Sequence, residues 1–272
     1  MAVPNIELNN KIEIPRVGLG MWRVKDEAQC KDSVKAALEA GYTHFDTAQI
    51  YGNEQFLGAA LKEASAKRED LYITTKIWNE NQFWDNFDPS LDESLAKLQT
   101  DYVDLLLLHF PVTETRRPAW HKMVQAYNSG KAKSIGVSNY TVRHLEELLS
   151  ETDVVPVVNQ VELHVFLQQP ELVEFCQTHG IVVEAYSPLA HGQGLDNEVL
   201  VDIGKKYNKS SAQVMLRWCI QKDMVVLPKS VHPERIRENM DLFDFDLDAR
   251  DLQRIAGLEK DFRTCWDPTN VQ

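Results

Sequence analysis

The sequence predicts an α/β fold: a single (β/α)8 barrel of the TIM type, with an N-terminal β-hairpin and extra C-terminal helices. Three observations carry this. Eight short β-branched runs alternate with segments whose apolar residues recur at helical spacing. Several of the runs are apolar at consecutive positions, as strands covered on both faces require. The chain has 272 residues, close to the ~250 that one such barrel takes, so residues 1–272 are read as one domain.

The elements follow in order. IEL, then Asn9-Asn10, then IEI reads as a hairpin with a tight turn. The strand runs are RVGLG, HFDTA, YITTKI, VDLLLLH, SIGVSN, VVNQVEL, VVEAYSP and VVLPKS. Between them, Cys30, Val34, Ala37 and Leu38, then Leu57, Ala60, Leu61 and Ala64, and later Ala212, Met215, Leu216 and Cys219 each mark one buried helix face. Strict alternation of this kind closes into a barrel more readily than it opens into a doubly wound sheet, which needs about five or six strands and a switch in their order. The longer connection from Tyr186 to Val225 predicts an extra helix over 197–207. The chain after Asp248 predicts one more helix and a Pro-containing end, and neither segment is long enough for a second domain.

Composition narrows the function classes. With 43% hydrophobic and 26% charged residues, the chain has enough apolar surface for a packed core, which sets disorder aside. A net charge of −12 opposes phosphate-rich partners, so no nucleic-acid role is expected. No apolar run approaches ~20 residues and the start lacks a basic region followed by an apolar one, so a soluble, cytoplasmic protein with no membrane partner is expected, as a monomer. Cys30, Cys176, Cys219 and Cys265 are isolated, with no C-x-x-C pair and no His at ligand spacing. They are read as buried or inert thiols in a reducing compartment, with no metal site.

In a barrel of this kind reactive side chains lie at the carboxyl ends of the strands. Asp46 and Tyr51 follow the second run, Lys76 falls at the end of the third and His109 at the end of the fourth. Singly, each has an ordinary reading: Asp46 with Thr47 as a turn cap, Lys76 as a solvated strand end, His109 as a core histidine, Tyr51 as a packing aromatic. Together they are an acid–base kit on three adjacent strands. A free phenol titrates near ~10, too high for brisk proton donation, and an adjacent Lys76 ammonium is expected to lower that value while Asp46 holds the ammonium in place. His109 is placed to hydrogen-bond a substrate oxygen and orient it.

The segment D-T-A-Q-I-Y-G-N-E over 46–54 resembles the signature of the aldo-keto reductase family, in which the Asp and Tyr belong to a catalytic tetrad. I-T-T-K-I-W and L-L-L-H-F-P resemble the segments carrying the tetrad Lys and His, here Lys76 and His109. The resemblance implies an NADPH/NADP+ cofactor and reduction of a small-molecule carbonyl, with hydride from nicotinamide C4 and a proton from Tyr51. I-G-V-S-N implies Ser138 and Asn139 at the nicotinamide carboxamide, V-N-Q-V-E-L-H adds Gln160, and A-Y-S-P-L places Tyr186 under the ring. Gly20, Met21, Trp22, Ser187, Leu189 and Val231 are expected as further cofactor contacts. L-P-K-S-V-H-P-E-R-I-R-E-N implies Lys229, Ser230 and Arg235 at the 2′-phosphate and Glu238 and Asn239 at the adenine. Two cations and a hydroxyl beside a helix start are physically suited to a phosphate. No G-x-G-x-x-G follows a strand, so no Rossmann-type site is expected.

The resemblance runs from Gly18 to Asn239 and is nearest to compact microbial members such as those reducing diketo-gluconate. Phe110-Pro111 stands where many members carry Trp before the Pro, and the loop after it is short, as is the C-terminal tail, so substrate preference is not carried over. Trp22, Trp78 and Phe110 lie just beyond strand ends and are expected to wall an apolar substrate pocket; Trp84, Trp120 and Trp266 are left unassigned. His164 is read as making a structural hydrogen bond. Two other readings are a cofactor-binding redox partner without turnover, for which an intact tetrad would be unnecessary, and a metal-dependent barrel hydrolase, whose clustered ligands the sequence lacks.

Overall fold

The computed structural model of the chain describes residues 4–272. An antiparallel hairpin, β1 (Asn5–Glu7) and β2 (Glu13–Pro15), precedes eight parallel strands: β3 (Gly18–Gly20), β4 (His44–Asp46), β5 (Tyr72–Ile77), β6 (Leu105–Leu108), β7 (Ile135–Ser138), β8 (Val158–Glu162), β9 (Val182–Tyr186) and β10 (Val225–Leu227). Neighbours in sequence are neighbours in the sheet. The ring closes where Val17 bridges Val226, with the Val226 N–H donating to Arg16 O at 2.9 Å and the Gly20 N–H to Pro228 O at 3.1 Å. All eight expected strands form, in the expected order. Around them lie α1 (Glu27–Glu39), α2 (Glu54–Glu63), α3 (Trp84–Leu98), α4 (Arg116–Asn128), α5 (Val142–Leu149), α6 (Pro170–Thr178), α7 (Glu198–Tyr207), α8 (Ser211–Gln221), α9 (Pro233–Glu238) and α10 (Ala249–Ala256).

The run of four leucines in β6 shows why such strands read as continuously apolar. Leu106 and Leu108 pack outward with the helices, while Leu105 and Leu107 point inward to a second cluster with Tyr72, Val158 and Val225. Leu8 and Ile14 from the hairpin join that inner cluster, so the hairpin stoppers the amino-terminal end of the barrel. Its turn is longer than a two-residue link. The Leu8 N–H donates to Ile12 O at 2.8 Å, and Lys11 takes φ 72° as the last residue of a three-residue loop. The Asn9 and Asn10 amides reach Pro156 O and Lys133 O, tying the loop to the barrel floor.

The extra helix expected over 197–207 forms as α7, with the Asn197 side chain accepting from the Val199 N–H, and Asp248 caps α10 in the same way through the Asp251 N–H. On the expected helix faces, Ala64 is the exception: it caps α2 and is exposed. Above the apolar floor the barrel interior turns polar. His44, Asp46, Thr74, Lys76, Gln160 and Glu184 are all buried there. A Cβ on Gly18 would lie 2.7 Å from His44 Nδ1, so this glycine leaves the room that the imidazole occupies.

Candidate functional site

The carboxyl ends of β3 to β10 open into one cleft of about 1140 Å³. Strand register brings the site residues to the same rim. Gly20 lies opposite Asp46, Lys76 opposite Leu107, Ser138 opposite Gln160, and Tyr186 opposite both Glu162 and Leu227.

At its centre Lys76 Nζ donates to both carboxylate oxygens of Asp46, at 2.6 and 2.8 Å, and to Thr47 O at 2.9 Å. The Tyr51 hydroxyl lies 3.4 Å from the same nitrogen. Tyr51 ends a 3-10 turn, Gln49–Tyr51, closed by Gly52 at φ 64°. Gln49 anchors that turn, accepting from the Trp78 N–H at 2.7 Å and donating to Ser90 O at 3.1 Å. The remaining polar residues of the 46–54 segment are scaffold: Thr47 donates to Asn53, whose amide donates to Met21 O and Val24 O, and Glu54 accepts from Thr75 at 2.6 Å. The His109 ring stands edge-on to Tyr51, with centroids 5.7 Å apart.

The electrostatics correct one expectation. The Tyr51 phenol is not lowered by Lys76; burial, with the Asp46 carboxylate acting the same way, holds it well above the usual phenol range. The bidentate contact with Asp46 neutralises much of the ammonium's field before it reaches the hydroxyl. Tyr51 is therefore a neutral donor at rest. Burial, and then the Lys76 charge, push His109 well below the usual histidine range, so its imidazole is uncharged, and its Nδ1 has no hydrogen-bond partner among the described residues.

Around these four side chains, Ser138 Oγ donates to Gln160 O at 2.8 Å, Asn139 Nδ2 donates to His109 O at 2.9 Å, and the Tyr186 hydroxyl donates to Asn139 Oδ1 at 2.8 Å. Gly20, Trp22, Ser187 and Leu189 also line the cleft. Lys229, Ser230, Arg235, Glu238 and Asn239 line it as well, together with Arg23, which the sequence reading missed although it directly follows Trp22. Among the described residues neither Arg23, Lys229 nor Arg235 has a carboxylate within salt-bridge distance. Burial, and then the charges of Arg23 and Lys25, lower the Lys229 ammonium. Unspent cations lining one cleft of a protein of net charge −12 fit a bound phosphate.

Two expected contacts do not reach the cleft: Met21 is fully buried in the core, and Val231 packs against the core instead of lining the opening. Trp78 and Phe110 do not line it directly either. They back Trp266, with ring centroids at 5.6 and 6.2 Å, and Trp266 in turn faces His109 at 5.9 Å. The tail that carries Trp266 is held by the buried Glu162 carboxylate, which accepts from the Thr264 and Cys265 N–H groups at 2.7 and 3.0 Å. Cys30, Cys176 and Cys219 are buried thiols as expected, whereas Cys265 is half-exposed at the cleft, 3.2 Å from His191 Nε2. His164 makes its structural contact to Glu162 at 3.3 Å. Among the described residues no cluster of three metal-ligating side chains occurs, and no helix is long and apolar enough to cross a membrane.

The sequence profile of the aldo/keto reductase family matches residues 16–260. The chain belongs to the aldo/keto reductase family. It is 46% identical over 266 residues to the glyoxal reductase of Bacillus subtilis, covering 98% of this chain and 96% of that protein. It is 44% identical over 275 residues to the methylglyoxal reductase DkgA of Escherichia coli K12, covering 98% of each. A Bombyx mori aldo-keto reductase solved in complex with NADP superposes with a TM-score of 0.91 at 36% identity, covering 97% of this chain and 95% of that one.

Proposed function

We propose that this family member is an NADPH-dependent reductase of small aldehydes and ketones in which Tyr51 is the proton donor. The observation that carries the reading is the chain Asp46–Lys76–Tyr51, a buried ion pair with its ammonium 3.4 Å from a phenol at the rim of a cleft that also holds the unspent cations. The cofactor contacts assigned to this chain are Ser138, Asn139 and Gln160 at the carboxamide, Tyr186 beneath the ring, and Lys229, Ser230 and Arg235 at the 2′-phosphate.

When bound, NADPH supplies a hydride from nicotinamide C4. Tyr51 donates its proton to the carbonyl oxygen as negative charge develops there. Burial that keeps the phenol neutral at rest also makes its phenolate costly, and Lys76 offsets that cost at the moment the proton leaves. Lys76 thus stabilises the product of proton transfer, and Asp46 keeps the ammonium charged and in place. Neutral His109, beside Tyr51, orients the carbonyl oxygen by a hydrogen bond. Trp22 and Trp266, with Trp78 and Phe110 behind the latter, wall a pocket that excludes water from the reacting carbon.

The relatives' activities point to small α-dicarbonyl aldehydes, such as glyoxal and methylglyoxal, as the substrate class. Unpaired cysteines, three of them buried, favour a reducing, cytoplasmic setting, and a monomer is the expected assembly. The test is to titrate the protein with NADPH by fluorescence and follow NADPH oxidation over α-dicarbonyls, keto-sugars and simple aldehydes. Saturable binding with turnover on α-dicarbonyls supports the reading. Tight binding without turnover on any carbonyl would favour the redox-partner reading instead.

A further inference from the structure

The mechanism leaves one buried acid unused. Glu184, in the middle of β9, is fully buried inside the barrel. One of its carboxyl oxygens accepts from Gln160 Nε2 at 2.6 Å, while the other has no hydrogen-bond partner among the described residues and lies 3.7 Å from His44 Nε2. The same Gln160 nitrogen donates to Asp46 at 2.8 Å. An amide NH2 has two hydrogens, and here both go inward to two carboxyl groups. That geometry fixes the plane of the amide as well as its flip. Gln160 Oε1, which accepts from none of the described residues, is left to the cleft that the residue lines.

We propose that Glu184 is a positioning residue for hydride transfer: by taking the second amide hydrogen of Gln160 it locks the side chain with its oxygen toward the cleft, where that oxygen accepts the carboxamide N–H of the nicotinamide and fixes the ring. The inference rests on the cofactor reading above. Asp46 alone would hold one hydrogen and leave the amide free to pivot about that bond; two acceptors on different strands remove the pivot. Burial pushes the Glu184 carboxyl up to about 8, with Asp46 acting the same way, so at neutral pH the group is an uncharged acid that can accept from Gln160 without placing a second anion beside the Lys76–Asp46 pair. His44, itself donor or acceptor to Thr74 Oγ1 at 3.0 Å, faces the remaining oxygen.

The test uses NADP+ and its 3-acetylpyridine analogue, in which an acetyl group replaces the carboxamide and offers no N–H. The wild type should bind NADP+ about 2- to 10-fold more tightly, the range for one neutral hydrogen bond. Glu184→Met, close in size but without an acceptor, should narrow that gap to below about 2-fold by weakening NADP+ alone. Glu184→Gln, which accepts from Gln160 and offers an N–H toward His44, should keep the gap. Should the Met variant not fold, Glu184→Asp withdraws the acceptor by one methylene and should narrow the gap likewise. A wild type that binds neither cofactor overturns the cofactor reading. Binding of both with no gap, a gap that survives the Met or Asp change, or equal weakening of both cofactors overturns the role given to Glu184.

Discussion

Substituting Glu184 by Gln gives a pH signature whose size follows from the structure. The carboxyl is buried and titrates at about 8 in the folded protein, against 4.5 when free. An acid raised by folding contributes most stability below its unfolded value, and that contribution is lost as pH rises through the folded one, because the native state must then hold a buried anion. The groups facing it are His44 and Asp46 from β4, Tyr72 and Lys76 from β5 and Gln160 from β8. Burial lowers His44 from 6.5 to about 3 and raises Tyr72 above 10, so neither changes charge in the folded state between 6.5 and 8. Stability changes by about 1.4 kcal/mol per pH unit while the folded acid stays protonated, so between pH 6.5 and 8 the wild type should lose roughly 1–2 kcal/mol relative to Glu184→Gln. Histidines freed on unfolding are common to both proteins and cancel in the difference. Urea unfolding of the two proteins at both pH values, with unchanged m, measures it. A stability difference that does not change across that window would refute the assignment of an uncharged, buried Glu184.

Other perturbations bear on the cleft. Arg235→Ala should weaken NADPH by about 1.5–3 kcal/mol, the range for a hydrogen bond to a charged group, while leaving NADH nearly unchanged; equal losses in calorimetric titrations would place the 2′-phosphate elsewhere. Trp266→Ala removes the ring facing His109 and Trp78, and should raise KM for small dicarbonyls about 2- to 10-fold, the scale of one lost aromatic contact. Steady-state kinetics over substrates of increasing size would show bulkier carbonyls gaining relative to small ones, and no change in that ranking would remove Trp266 from the pocket wall.

Much of this was legible in the sequence, because the signals are local. Eight runs set the barrel, since a strand covered on both faces must be apolar at successive positions, as Leu105 to Leu108 are. The meeting of Asp46, Lys76 and His109 was legible because they end consecutive strands, which register brings side by side. What escaped depends on depth and on long-range contact. The direction of the Tyr51 shift turns on how completely the phenol is buried, which no spacing reports. Met21 follows a strand end as Trp22 does, yet its side chain turns into the core. Trp266, Cys265 and Thr264 sit in an aperiodic tail, and contacts from distant elements bring them over the cleft, among them the Glu162 carboxylate on β8, more than a hundred residues away, and the Trp78 ring. Glu184 in V-V-E-A-Y is, along the sequence, one polar residue in a strand, and its neighbours Gln160 and Asp46 meet it only in the folded barrel.

The most direct measurement is of Tyr51→Phe, which deletes one oxygen and leaves the ring packed between Trp22 and His109. NADPH affinity should stay within about 3-fold of wild type while turnover on the best carbonyl falls by about 100-fold or more, the scale of lost general-acid catalysis. Turnover close to wild type with binding intact would mean that another group delivers the proton, and the Asp46–Lys76–Tyr51 chain would lose its part in the reaction.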